Sequence, residues 1–107
     1  MASDQAPALT VCDRWDDGVA TVTVRGEIDI STSGVFLGRV GEVVGGNPRR
    51  LVIDMAGVEF MDSAGLQAFM RIRGQVPERC PIIVCSAPPR VRQVFDVTGL
   101  STVFDFE

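Results

Sequence analysis

Two periodicities take turns along this chain of 107 residues, and that alternation limits its fold more than any other feature. From Val19 to Arg25 the pattern has period two. Ala20, Val22 and Val24 lie on one side and Thr21, Thr23 and Arg25 on the other, as in a half-buried strand. Phe36, Leu37, Val40, Val43 and Val44 instead share one arc of a helix. The switch then repeats. Leu51 to Met55 predicts a short apolar strand, Ala56 to Asp62 a loop, and Ala64 to about Gly74 a second helix. Ile82-Ile83-Val84-Cys85 is continuously apolar, which suits a strand buried in a parallel sheet. Pro88-Pro89 opens a third helix at positions that tolerate proline. Val91, Val94, Phe95 and Thr98 form its inner face and Gly99 its cap.

The ends complete the order. Residues 1–7 read as a flexible tail, and 8–107 as a single domain. Leu9 and Val11 suggest a first short strand, and Asp16-Asp17-Gly18 is a hairpin signal. Val103 to Phe106 reads as a last strand. The resulting β-β-α-β-α-β-α-β order predicts an α/β fold with right-handed crossovers. Its sheet is small, mixed and mostly parallel, with helices mainly on one face. Sites in such sheets lie beyond the carboxyl ends of the strands. Asp29, Asp54, the 56–62 loop and Ser86 to Pro88 are expected there.

Several residues need a local reading. Ser31, Thr32 and Ser33 are candidates to cap the first helix, and so is Asp29. Gly34, Gly38, Gly41 and Gly45 form a stripe on that helix, each costing about 1 kcal/mol of propensity. Close packing of the helix backbone on a neighbour is the expected reason, and a docked partner the alternative. Asp62 and Ser63 stand where a loop enters the second helix, and either can cap it. If Asp62 does, the Ser63 hydroxyl faces water, Ala64 and Gly65 leave the approach open, and Gln67 and Arg71 share its face. Leu66 and Phe69 then point to the core. Asp54 is expected to tie down backbone N–H groups, and Trp15 to pack beside the hairpin.

Composition narrows the chemistry. Histidine, lysine and tyrosine are absent, and all ten basic residues are arginine. No histidine means no Ser-His or Cys-His pair and no imidazole metal ligand. No lysine means no Schiff base and no phosphate-binding lysine. The three cysteines form no CxxC pair, and Cys80 and Cys85 are expected to face opposite ways in one strand. A net charge of −4 with no basic run beyond Arg49-Arg50 argues against nucleic acid as a partner. No apolar run suits a membrane helix, so the expectation is a cytoplasmic protein that binds no membrane.

The segment Asp62-Ser63-Ala64-Gly65-Leu66, following Val52-Ile53-Asp54-Met55, resembles the signature of STAS domains, in the branch of anti-sigma factor antagonists. Gly26-Glu27-Ile28-Asp29 resembles that family's first motif, and Val91…Phe95…Thr98-Gly99-Leu100 its last. The resemblance spans roughly residues 18–100 with its motifs in order. It implies a phosphorylation switch rather than an enzyme. Ser63 would be phosphorylated by a partner that is both a serine protein kinase and an anti-sigma factor. The unphosphorylated form would bind that partner and free the sigma factor, and a serine phosphatase would reset it. The ATP and Mg²⁺ belong to the kinase, and the domain itself is expected to hold no cofactor or metal. Asp29, Ser31, Thr32, Asp62, Ala64, Gly65, Gln67 and Arg71 are the candidate partner-binding residues around Ser63. Family members usually continue into a closing C-terminal helix, which this chain, ending at Glu107, is expected to lack.

Other readings of the same residues exist. A phospho-aspartate receiver using Asp54 would need a lysine. A hydrolase using Ser63 would need a histidine and a Gly-x-Ser-x-Gly elbow. A STAS scaffold module of a stress-signalling complex, or a cytosolic STAS subunit of a lipid transporter, would share the fold.

Overall fold

Asp17 and Gly18 both adopt positive φ, at 54° and 78°, and so form the two-residue turn that matches the twist of paired strands. They join β1 (Leu9–Asp16) to β2 (Val19–Ile28) in an antiparallel hairpin. Arg49 pins the turn, donating from its backbone N–H to the Gly18 carbonyl at 2.9 Å and from Nε to the Asp17 carbonyl at 2.7 Å. The computed structural model describes residues 8–107, so the expected tail at 1–7 lies outside the described residues.

The remaining elements are α1 (Ser33–Gly45), β3 (Arg50–Met61), α2 (Ser63–Gln75), β4 (Ile82–Cys85), α3 (Pro89–Val97), a 3-10 turn (Leu100–Thr102) and β5 (Asp105–Phe106). Spatial strand order equals chain order, with every pair after the hairpin parallel. This is the mixed, mostly parallel α/β sheet expected. Register rows Ala20–Leu51–Ile82 and Val22–Ile53–Val84 cross three strands, and all six side chains are buried with the helices in one core. Thr21, Thr23, Val52 and Asp54 alternate to the opposite face and are only half-buried. Phe69 of α2 sits at the centre of that core. Its ring lies 5.1 Å from Phe36 of α1, 5.1 Å from Phe95 of α3 and 5.6 Å from Phe104.

Four local expectations change. Residues 56–61 are strand, not loop, because β3 carries two bulges. Thr23–Arg25 of β2 faces Asp54–Gly57, and Gly26–Glu27 faces Val58–Phe60. Each bulge shifts the inward residue by three, giving Met55, Val58 and Met61, which hides the period of two. Asp54 supports the first bulge, accepting from the Ala56 N–H at 3.0 Å. The last strand is only Asp105–Phe106, since the 3-10 turn takes up the preceding chain. Thr98 leaves the inner face of α3, because the helix ends at Val97 and its hydroxyl donates back to the Val94 carbonyl. Cys80 precedes β4 and is buried in the turn before it, so the two cysteines do not share a strand. Gly99, at φ 76°, does terminate α3. Among the described residues no helix follows β5.

The glycine stripe of α1 does not serve close packing. A Cβ on Gly34, Gly38 or Gly45 would meet nothing within 4 Å, and one on Gly41 only the Gln75 side chain at 3.7 Å. Gly65 of α2 is the opposite case. Its Cβ would lie 2.5 Å from Met61 Cγ and 2.9 Å from Ile28 Cγ2. Gly38→Ala should therefore stabilise the protein by about 1 kcal/mol, while Gly65→Ala should destabilise it by about 1–3 kcal/mol through overpacking. Urea unfolding midpoints moving in opposite directions would bear this out, and a stabilising Gly65→Ala would contradict it.

Candidate functional site

Ile28 and Met61 are register partners at the carboxyl ends of adjacent parallel strands. The next residue in each strand is an aspartate, Asp29 after β2 and Asp62 after β3. The two turns are joined directly, since the Asp62 N–H donates to the Ile28 carbonyl at 3.2 Å. Parallel pairing therefore sets two acidic turns side by side at the end of the sheet where sites are expected.

Asp62 is the only residue between β3 and α2, and it caps the helix. Its Oδ1 accepts from the backbone N–H groups of Ala64, at 2.9 Å, and Gly65, at 3.3 Å. An aspartate acceptor there also suits the positive end of the helix. Ser63 is thereby relieved of capping. It is the first helical residue, it is exposed, and among the described residues its hydroxyl has no hydrogen-bond partner.

Asp29 organises the neighbouring turn. Its Oδ1 accepts from the Ser31 N–H at 2.9 Å, the Ser31 hydroxyl at 2.7 Å and the Thr32 N–H at 3.1 Å. The Ser31 hydroxyl, with the Ser31 and Thr32 backbone groups, outweighs partial desolvation and holds the Asp29 carboxyl below its ordinary range. The Thr32 hydroxyl donates to the Glu27 carbonyl at 2.7 Å and accepts from the Asp29 N–H at 2.9 Å. Thr32 stands at the cap position of α1 but makes no side-chain capping bond, so the serine and threonine hydroxyls do not cap as expected. Asp29 instead closes the turn before α1, its carboxylate on the Ser31 and Thr32 N–H groups and its carbonyl accepting from the Ser33 N–H at 2.8 Å.

Two depressions flank α2. An open cleft of about 490 Å³ is lined by Ser63, Leu66, Gln67, Met70, Arg71 and Leu100. A groove of about 200 Å³ between α1 and α2 includes Ile30, Ser33, Leu37 and Ala64, and shares Gln67 and Arg71 with the cleft. Of the candidate residues, Ser63, Ala64, Gln67 and Arg71 thus line one continuous surface. Asp29, Ser31 and Asp62 shape the turns beside it. Two do not lie on the surface. Thr32 is 7% exposed, its hydroxyl used internally, and Gly65 is buried against Ile28 and Met61. Gly65 admits the close approach of helix to sheet rather than opening the surface to a partner.

Sequence reasoning passed over the apolar part of this surface. Ile30 is 84% exposed at the tip of the Asp29 turn, and Met70 is 39% exposed. Met70 was within reach, because it follows Ser63 and Gln67 at helical spacing. Ile30 carried no periodic signal, being in a turn. Ser86 and Asp54 lie apart: the Ser86 N–H pairs with the Glu107 carbonyl, and Asp54 with its bulge. Trp15 lies over Gly46 after α1 and donates to Asp13, but it remains 41% exposed, so it packs only in part. Among the described residues no group of acidic or thiol side chains could hold a metal, and no helix is long and apolar enough to cross a membrane.

Comparison with known proteins places this geometry. Residues 14–107 match the STAS domain family. A Mycobacterium tuberculosis protein named anti-sigma-F factor antagonist RsfB is 32% identical over 104 residues, covering 97% of this chain and 84% of that protein. The crystal structure of an anti-sigma factor antagonist from Mycobacterium paratuberculosis superposes with a TM-score of 0.87 at 33% identity, covering 94% of this chain and 87% of that one. The anti-sigma factor antagonist SpoIIAA in its unphosphorylated form shares the fold, with a TM-score of 0.76 at 16% identity over 92% of this chain and 88% of that one. Three motifs in register, the five-stranded sheet and the family match agree: this chain belongs to the STAS domain family.

Proposed function

We propose that this protein is an anti-sigma factor antagonist whose partner binding is switched by phosphorylation at Ser63. The observation that carries the reading is the division of labour at the start of α2. Asp62 satisfies the helix amides, leaving an exposed, unengaged hydroxyl one residue later. A kinase can take that hydroxyl without disturbing the fold. The names of the relatives at about one-third identity support the same class of function.

In the unphosphorylated state the partner, an anti-sigma factor with serine kinase activity, docks over Ser63, Ala64, Gln67 and Arg71. Asp29 and Ser31 form the neighbouring edge of the contact, and sigma factor is released. The kinase brings ATP and Mg²⁺, and a separate serine phosphatase restores the hydroxyl. Phosphorylation adds about −1.5 to −2 charge at Ser63. Asp62 and Asp29 already make this end of the sheet negative. A partner surface fitted to a neutral serine offers the dianion no counter-charge of its own and would have to desolvate it, at a cost of several kcal/mol. A loss of about 3 kcal/mol weakens binding roughly a hundredfold. No large conformational change is required.

Incubation with ATP and the anti-sigma kinases of the same cell should label Ser63. Ser63→Ala should bind the kinase constitutively, and Ser63→Asp should bind markedly more weakly. Phosphate on another residue, or undiminished binding by Ser63→Asp, would overturn the reading. Backbone amide shifts should change on phosphorylation only within about residues 56–75 and the abutting Asp29 turn. Changes throughout the sheet would show that the switch works by refolding instead.

A further inference from the structure

Ser63 and Arg71 line the same cleft, with Gln67 between them on one face of α2. They are eight positions apart, which is about 12 Å along a helix axis. Side chains on a helix lean toward its N-terminus, so Arg71 inclines toward Gln67 and Ser63. Five of the other nine arginines are engaged: Arg39, Arg49 and Arg92 in ion pairs, Arg73 on the carbonyls of Val76, Pro77 and Cys80, and Arg79 on the Asn47 side chain. Arg71 has no such engagement among the described residues, and it is the basic side chain lining the cleft. The amides of Ala64 and Gly65 are already taken by Asp62.

We propose that Arg71 is the internal counter-ion of a phosphate on Ser63. The Arg71 side chain extends over Gln67 toward the dianion, and its guanidinium, whose fork suits phosphate oxygens, donates to it. This rests on the reading that Ser63 is the modified residue. It adds a second arm to the switch, since phosphorylation would withdraw Arg71 from the docking surface as well as adding charge.

The test needs no kinase. Full-length protein carrying genetically encoded phosphoserine at position 63 is titrated by phosphorus-31 NMR, as wild type, Arg71→Gln and Arg50→Gln. Asp62 and Asp29 face the phosphate in all three, so their effect cancels in the comparison. Arg71→Gln should lower the second acid dissociation constant of the phosphate about threefold, the size of an exposed ion pair. Arg50→Gln, at the amino end of β3, should leave it unchanged. An unchanged constant in Arg71→Gln, or an equal change in Arg50→Gln, would overturn the proposal. Because the phosphate is installed synthetically, a kinase that ignores Ser63 would refute the proposed function without altering this result.

Discussion

The carboxylate of Asp62 is the contact on which the site depends. A helix starting directly after a strand exposes N–H groups with no intrahelical partner, and something must satisfy them. A serine at the cap position commonly does this. Here the aspartate accepts from two amides, a contribution of about 1 kcal/mol. The serine hydroxyl is left without a structural duty. Were Ser63 the cap, modifying it would cost the helix its first hydrogen bonds, and the switch would be coupled to unfolding. Separating the two tasks between adjacent residues would let the proposed phosphorylation of Ser63 act on the surface alone.

That surface is held by the sheet. The Asp62 N–H reaches the Ile28 carbonyl of the neighbouring strand, and Gly65 lets α2 sit close on Ile28 and Met61. Asp29, in the parallel position after β2, spends its carboxylate on Ser31 and Thr32. Two acidic turns are thus fixed by backbone bonds while their net charge stays at the surface. Fixed geometry with a negative bias suits the interface proposed at Ser63, which would have to tell a hydroxyl from a dianion.

Much of this could be read in the residues before any coordinates. Asp17-Gly18 specified the hairpin and Ala20, Val22 and Val24 the buried face of β2, while the cap of α2 stood open between Asp62 and Ser63 until the structure showed it to be Asp62. What escaped did so for physical reasons. The bulges of β3 replace a spacing of two by three at Val58 and Met61, which erases the strand signal while the ladder persists. Thr32 looked like a cap, but its hydroxyl is drawn inward by the Glu27 carbonyl. Gly65 reads as an opening in sequence and is a packing contact in space. The glycines of α1 read as a packing stripe and face open space. A glycine states only that a side chain is missing. Its surroundings decide whether that serves a close approach or merely weakens the helix.

The most direct measurement is displacement from a preformed complex of sigma factor and anti-sigma kinase, followed by size-exclusion chromatography. Unmodified protein should release free sigma factor as it takes its place on the kinase. Protein phosphorylated at Ser63 should leave the complex intact at the same concentration. Equal release by both forms would contradict the account, and so would no release by either.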